Sequence, residues 1–401
     1  MALELTPLET LPPAVERAVG PAAPAPVRLM AARGMAPLPP ADLAVALYQL
    51  SFSDDPVIKE AAFSSSAQLP DPILQAALTA PLDGRVLDYY ARRITHRTKL
   101  LPILLLNKAT HDETFCHLAK LLGESELEMI ASNDQRLLRH PAIIAALYMN
   151  PKTRMSTAQR ALELAVRNNV RVDGIPAFDE AAKAIAQTGA DAIDEAADAA
   201  FREAAAIAVD DAAALKIVPL DLSDAERLAE AEKLAAAELA AAEAEVAAAL
   251  AATADAVPVG AKDAVTEEKA KKLSDLSPSA KIRVATLGNA FARSILIRER
   301  NMQVAMACIR SPAVSDTEAL RYASNRALDD EIIRFIANNK SWTRLPGIRL
   351  ALCNNPKTPM PTVIRMLPTL GVRDLKNIAR SKGIPSAIAT AARQLVQSRG
   401  A

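Results

Sequence analysis

All four histidines of this 401-residue chain lie between positions 96 and 140: His96, His111, His117 and His140. Asp112 and Cys116 stand among them, so imidazole, thiolate and carboxylate donors of the kind that hold zinc are close in sequence. Their spacing argues against a metal site. Cys116 and His117 are adjacent and would point about 100° apart on a helix, and no second ligand pair follows at metal spacing. Asp329, Asp330 and Glu331 form an acidic run, but it stands at a predicted helix start, where the helix dipole favours negative charge. The chain has no glycine-rich phosphate loop, no nucleophile elbow and no His-Glu-x-x-His pair. No catalytic residue, metal ligand or cofactor is therefore assigned, and the expectation is a non-enzymatic protein.

Recognition chemistry is better represented. Residues 176–260 carry 18 Asp/Glu and 5 Lys/Arg, whereas 281–401 carry 7 Asp/Glu and 20 Lys/Arg, so a −13 stretch precedes a +13 stretch in a chain of zero net charge. Arg310, Arg321, Arg334, Lys340, Arg344 and Arg349 recur at short intervals in the basic stretch, with the single tryptophan, Trp342, among them. These seven residues are the candidate partner-binding set. Trp342 has two readings: an anchor for a partner, or a plug in an inter-helix gap. The acidic stretch is expected to neutralise part of the basic face, and a partner would compete for it. The leading function is a protein–protein interaction scaffold or adaptor. The alternative is non-specific binding of nucleic acid or another acidic ligand through the basic C-terminal part. Scarcity of aromatics, 3% of residues, argues against base stacking.

Stepping from side chains to their supports, 51% of residues are hydrophobic and Gly is scarce. Ala, Leu, Arg and Lys favour helices, and no segment alternates with the period of two that strands need. The fold class expected is all-α. The longest apolar stretches, such as LLPILLLN (100–107), fall short of the roughly 20 residues that span a bilayer, so no membrane insertion is expected. Cys116, Cys308 and Cys353 are widely spaced and read as reduced thiols, and the expected location is cytoplasmic.

Four stretches are expected: a flexible Pro/Ala-rich arm (1–40), an N-terminal helical-repeat module (41–172), an acidic Ala-rich spacer, helical or disordered (173–275), and a basic C-terminal helical-repeat module (276–401). Within the spacer, SDAE (223–226) fits a capping box. Short helices joined by short links can bury their apolar stripes only against sequence neighbours, which defines an α-solenoid.

One phrase occurs twice: LYMNPKT (147–153) and LCNNPKT (352–358). It reads as a helix–helix corner. Asn150 and Asn355 suit a left-handed stop, Pro151 and Pro356 break the helix, and Thr153 and Thr358 suit the next N-cap. Variants occur at NKATHDE (107–113), with Thr110 as cap, and SPAVSDTE (311–318), with Ser315 and Glu318 as a capping box. The stretch 130–153 also parallels 336–358, which indicates internal duplication. The corner followed by a short helix, best seen at NNPKTPMPTVIRMLPTL (354–370), resembles leucine-rich-repeat-variant units and, more loosely, HEAT-type repeats. That resemblance implies a right-handed stack of short helices with a concave face, and no activity. Some variant-repeat proteins hold an iron–sulfur cluster through grouped cysteines; this chain lacks the group, so no cofactor carries over.

Overall fold

The structure is a computed structural model, and it describes residues 5–188, 195–209, 271–381 and 384–399. Among the described residues the regular structure is helical, with no strand. The chain divides into two compact units: Met1–Phe178 with Thr188–Asp198, and Asp179–Gln187 with Ala199–Ala401.

In the first unit the helices fall into two rows. In one, Pro40–Leu50 packs on Asp71–Thr79, which packs on Leu101–Leu106, which packs on Glu124–Ala131. In the other, Gly84–Ala91 packs on Asp112–Ala119, which packs on Ala142–Met149. Leu47, Leu74, Leu78, Leu87, Leu104 and Leu118 are fully buried in this packing. Each such side chain contributes about 1.5–3 kcal/mol on leaving water. The stripe spacing thus carries the assembly: helices of six to thirteen residues are too short to be stable alone.

Within the arm expected over 1–40, the described residues 5–40 hold two helices rather than an open chain. Pro13–Val19 and Ala25–Ala32 are helices, and Val15, Val19, Ala31 and Ala32 are buried. Pro13, Pro26 and Pro40 stand at helix starts, where a missing N–H costs no hydrogen bond. The alanines bring helices close: Pro13–Val19 packs on Pro40–Leu50, and Ala25–Ala32 on Pro56–Gln68. Thr6 and Leu8 are fixed as well, since Tyr48 Oη donates to Thr6 O at 2.6 Å and Leu8 N to Gln49 Oε1 at 2.9 Å.

The second unit repeats the two-row plan. Pro278–Leu287 packs on Met302–Arg310, which packs on Asp330–Asn338. Asp316–Ser324 packs on Pro346–Asn354, which packs on Val372–Arg380 and then Ser386–Arg399. A buried ion pair ties this unit together. Arg293 Nη2 and Nε meet the two carboxylate oxygens of Glu318 at 2.8 and 3.1 Å, and Arg293 also donates to Gly288 O and Ala313 O. Glu318 closes the expected capping box with Ser315.

Part of the acidic stretch departs from a solvated spacer. Phe178–Thr188 and Glu195–Val209 are helices, with Ala181, Ala184, Ile185, Phe201 and Ala204 buried. In the second unit the Phe201 ring lies 4.4 Å from the buried Arg283 guanidinium. These few large apolar side chains suffice to seat the helices among shallow alanine faces. The remainder of the spacer, 189–194 and 210–270 with its SDAE sequence, lies outside the described residues.

Candidate interaction surface

The corners position everything that faces the turns, and their chemistry differs from a simple stop and start. Asn150 and Asn355 have φ of −85° and −91°, in extended backbone rather than the left-handed region. Each side-chain oxygen accepts the N–H two residues on: Lys152 N at 2.9 Å, Lys357 N at 3.1 Å. Each side-chain nitrogen reaches back about thirty residues. Asn150 Nδ2 donates to Ala119 O at 2.8 Å and Leu122 O at 3.4 Å; Asn355 Nδ2 donates to Ala323 O at 2.8 Å and Asn325 O at 3.2 Å.

Those carbonyls belong to helix C-termini, whose last C=O groups lack partners within the helix. The same joint recurs. Asn107 Nδ2 donates to Leu78 O and Ala80 O, at the end of Asp71–Thr79, and Ser311 Oγ donates to Thr286 O, at the end of Pro278–Leu287. The asparagine amide therefore satisfies both the turn it starts and the neighbouring helix end. One non-glycine residue among the described ones does adopt positive φ, Asn169 at 54°, after the helix Met155–Arg167.

The threonines also differ from the N-cap reading. The next helices are capped at Arg154 and Pro359, and the Asn107 corner leads to His111 at that position. Thr358 Oγ1 donates back to Leu352 O at 2.6 Å, and Thr110 Oγ1 to Leu104 O at 2.8 Å. Thr153 is buried at the equivalent place. Pro151 and Pro356 are exposed at the turn tips.

The seven candidate partner-binding residues separate. Trp342 lies in a short 3-10 turn, Trp342–Arg344, and is only 8% exposed. Its ring meets Phe335 edge-on at 6.3 Å. It packs beside Phe335 with little of its surface open to solvent. Arg310 sits 5.7 Å from the same Phe335 ring and pairs with the buried Glu180 at 3.0 Å. An acidic residue of the chain thus already neutralises this arginine. Lys340, Arg344, Arg321 and Arg334 are exposed, and Arg349 is half-buried. Arg310 and Arg334 belong to one helix row and Arg321 and Arg349 to the other.

A surface not singled out by the sequence lies at the turns. A groove of about 520 Å³ opens among Ile297, Arg298, Arg300, Met302, Leu328 and Lys357. These residues lie in or beside three alternate turns, 297–301, 325–329 and 355–359, which the two-row packing places side by side. The signal was a basic residue in or beside each turn, visible in sequence but without a common frame until the turns were aligned.

The other chemistry is committed to structure. Asp112 pairs with Arg136 at 2.6 Å and Arg139 at 2.7 Å; burial alone would raise its pKa, but the Arg139 and Arg136 guanidinium groups hold it below the usual carboxylate value. Burial, with Arg92 nearby, lowers the His117 pKa. Cys116 Sγ donates to Ala142 O at 3.5 Å. Among the described residues no group of His, Cys, Asp or Glu is arranged to hold a metal, and no helix is long and apolar enough to cross a membrane. Asp329 caps its helix by accepting Glu331 N at 2.9 Å.

Comparison of the chain with family models, with curated proteins and with solved structures found no match.

Proposed function

We propose that the chain is a non-enzymatic scaffold of helical repeats, two α-solenoid units of the leucine-rich-repeat-variant or HEAT-like kind, that holds a protein partner in the cytosol. The recurring joint is the observation that carries this reading. Asn107, Asn150, Ser311 and Asn355 each use a side chain at a turn to satisfy the end of a helix packed earlier in the unit. A joint built repeatedly in one pattern supports stacking of equivalent units, and stacked units offer long surfaces made of successive turns. Asp112 and Glu318 are spent on ion pairs, and Cys308 and Cys353 on packing, which supports binding rather than reaction as the use of those surfaces.

Affinity capture with the full chain, against a charge-matched helical control, tests the reading. One or a few proteins enriched over the control, and cross-linked to residues at the turns, are expected. Absence of any enriched protein would contradict it.

A further inference from the structure

We infer that the turn groove of the second unit takes an extended acidic segment of a partner protein, with an apolar side chain on its floor and carboxylates on its rim. This rests on the scaffold reading and deepens it. At the floor, Met302 is half-buried beside the buried Ile297 and Leu328. The rim is cationic. Arg298 and Arg300 are exposed, and neither makes an ion pair among the described residues.

Three other cations of the unit are already matched. Lys281 pairs with Glu299 at 2.7 Å, Arg293 with Glu318 at 2.8 Å, and Arg310 with Glu180 at 3.0 Å. Of the groove's own acids, Glu299 is paired with Lys281, while Asp329 accepts the Glu331 N–H it caps and keeps its charge. Lys357 Nζ donates to Leu328 O at 2.6 Å and lies 3.7 Å from Asp330, which fixes its ammonium at the rim. Arg298, Arg300 and Lys357 outnumber Glu299 and Asp329 in the lining, and excess charge at a concave surface attracts the opposite sign.

Dimensions favour an extended chain. Packed helices stand 8–10 Å apart, so the three turns advance by roughly that step. Three residues of extended chain cover about 10 Å. Successive side chains of an extended chain point to opposite faces, so carboxylates at alternate positions, with an aliphatic residue between them, match the alternation of rim and floor. A nucleic acid would match the charge but not the floor, because the groove holds no aromatic ring on which a base could stack.

The test uses the full chain and a fluorescein-labelled peptide of Glu with interspersed Leu, read by fluorescence anisotropy at low salt. An oligothymidylate of equal charge is the second arm. The groove variant is Arg298→Glu with Arg300→Glu. The control, Arg373→Glu with Lys376→Glu, makes the same charge change at exposed sites elsewhere in the unit. The groove variant should weaken peptide binding at least about tenfold, or about 1.4 kcal/mol, and the control less than about threefold. Both should melt like the parent, since all four side chains are exposed.

Equal weakening by both variants, unchanged binding in the groove variant, or no binding by the parent would overturn the proposal. So would tighter binding of the oligothymidylate through the same two arginines. If captured proteins persist on the groove variant, the groove is wrong and the scaffold reading stands. If the parent captures nothing, both fail.

Discussion

Replacing Asn355 separates a clamp from a turn. Asn355 is 1% exposed. Its amide nitrogen serves Ala323 O at 2.8 Å and Asn325 O at 3.2 Å, while its oxygen accepts Lys357 N at 3.1 Å. Asn355→Ala leaves one fully buried carbonyl unpaired, at about 1–3 kcal/mol, and removes two partly buried bonds worth about 0.5–1 kcal/mol each. The total is about 3 kcal/mol. For a unit of this size, a loss of 1 kcal/mol lowers Tm by roughly 2–4 °C, so the transition should fall by roughly 6–12 °C. Asn325 supplies the comparison in the same unit: it makes the turn bond, Ala327 N to Oδ1 at 2.8 Å, in an exposed setting. Asn325→Ala should cost about 0.5 kcal/mol. Asn355→Asp decides the matter. Aspartate is as good a turn former as asparagine and keeps the acceptor for Lys357 N–H, but it turns a carboxylate oxygen toward Ala323 O. At neutral pH it should damage the fold at least as much as alanine. The assay is thermal melting by circular dichroism. If Asn355→Asp melts within about 1 °C of the parent, the residue is only a turn former and the clamp argument is refuted.

Further outcomes follow from groups described above. Burial alone would raise the pKa of Glu318, but hydrogen bonds from Arg293, Ser315 N–H and Tyr322 hold it below the usual glutamate value. Its folded value lies below its unfolded value, so its contribution is full above the unfolded pKa of about 4.3 and is lost as pH falls through the folded pKa. Glu318→Gln should cost about 3–5 kcal/mol at neutral pH, because Arg293 stays buried and unpaired, and urea melts of the two proteins should converge below about pH 4. Burial pushes the Cys308 thiol up and the Cys353 thiol up to about 12, so a native thiol titration should find only the half-buried Cys116 reacting promptly, with the others appearing on denaturation. Trp342→Ala should cost about 3 kcal/mol through the gap it leaves beside Phe335; a stable variant that loses partner capture would instead mark Trp342 as an anchor.

Helices and corners were legible because both are local. Apolar spacing along LYM or LCN marks a helix, and Asn-Pro marks its end. The use of Asn150 and Asn355 was not legible, because their partners stand about thirty residues back and only packing brings them near. The threonines misled for the same reason: Thr358 satisfies a carbonyl of the helix before it rather than an amide of the helix after it. Residues 1–40 read as an open arm because proline suppresses helical period, yet Pro13 and Pro40 begin helices and small alanines supply the contact. The basic stretch was visible as charge. Which of its arginines are already matched was not, since Glu180 meets Arg310 and Glu318 meets Arg293 only in three dimensions. Among the described residues, Arg298 and Arg300 are the exposed, unmatched arginines that line one groove.

Hydrogen–deuterium exchange on the full chain, with and without the Glu/Leu peptide, tests most directly that the second unit binds through its turns. Protection should concentrate at 297–302 and 325–329 and disappear in the variant carrying Arg298→Glu and Arg300→Glu. Protection confined to other segments, or unchanged by that variant, would contradict the account.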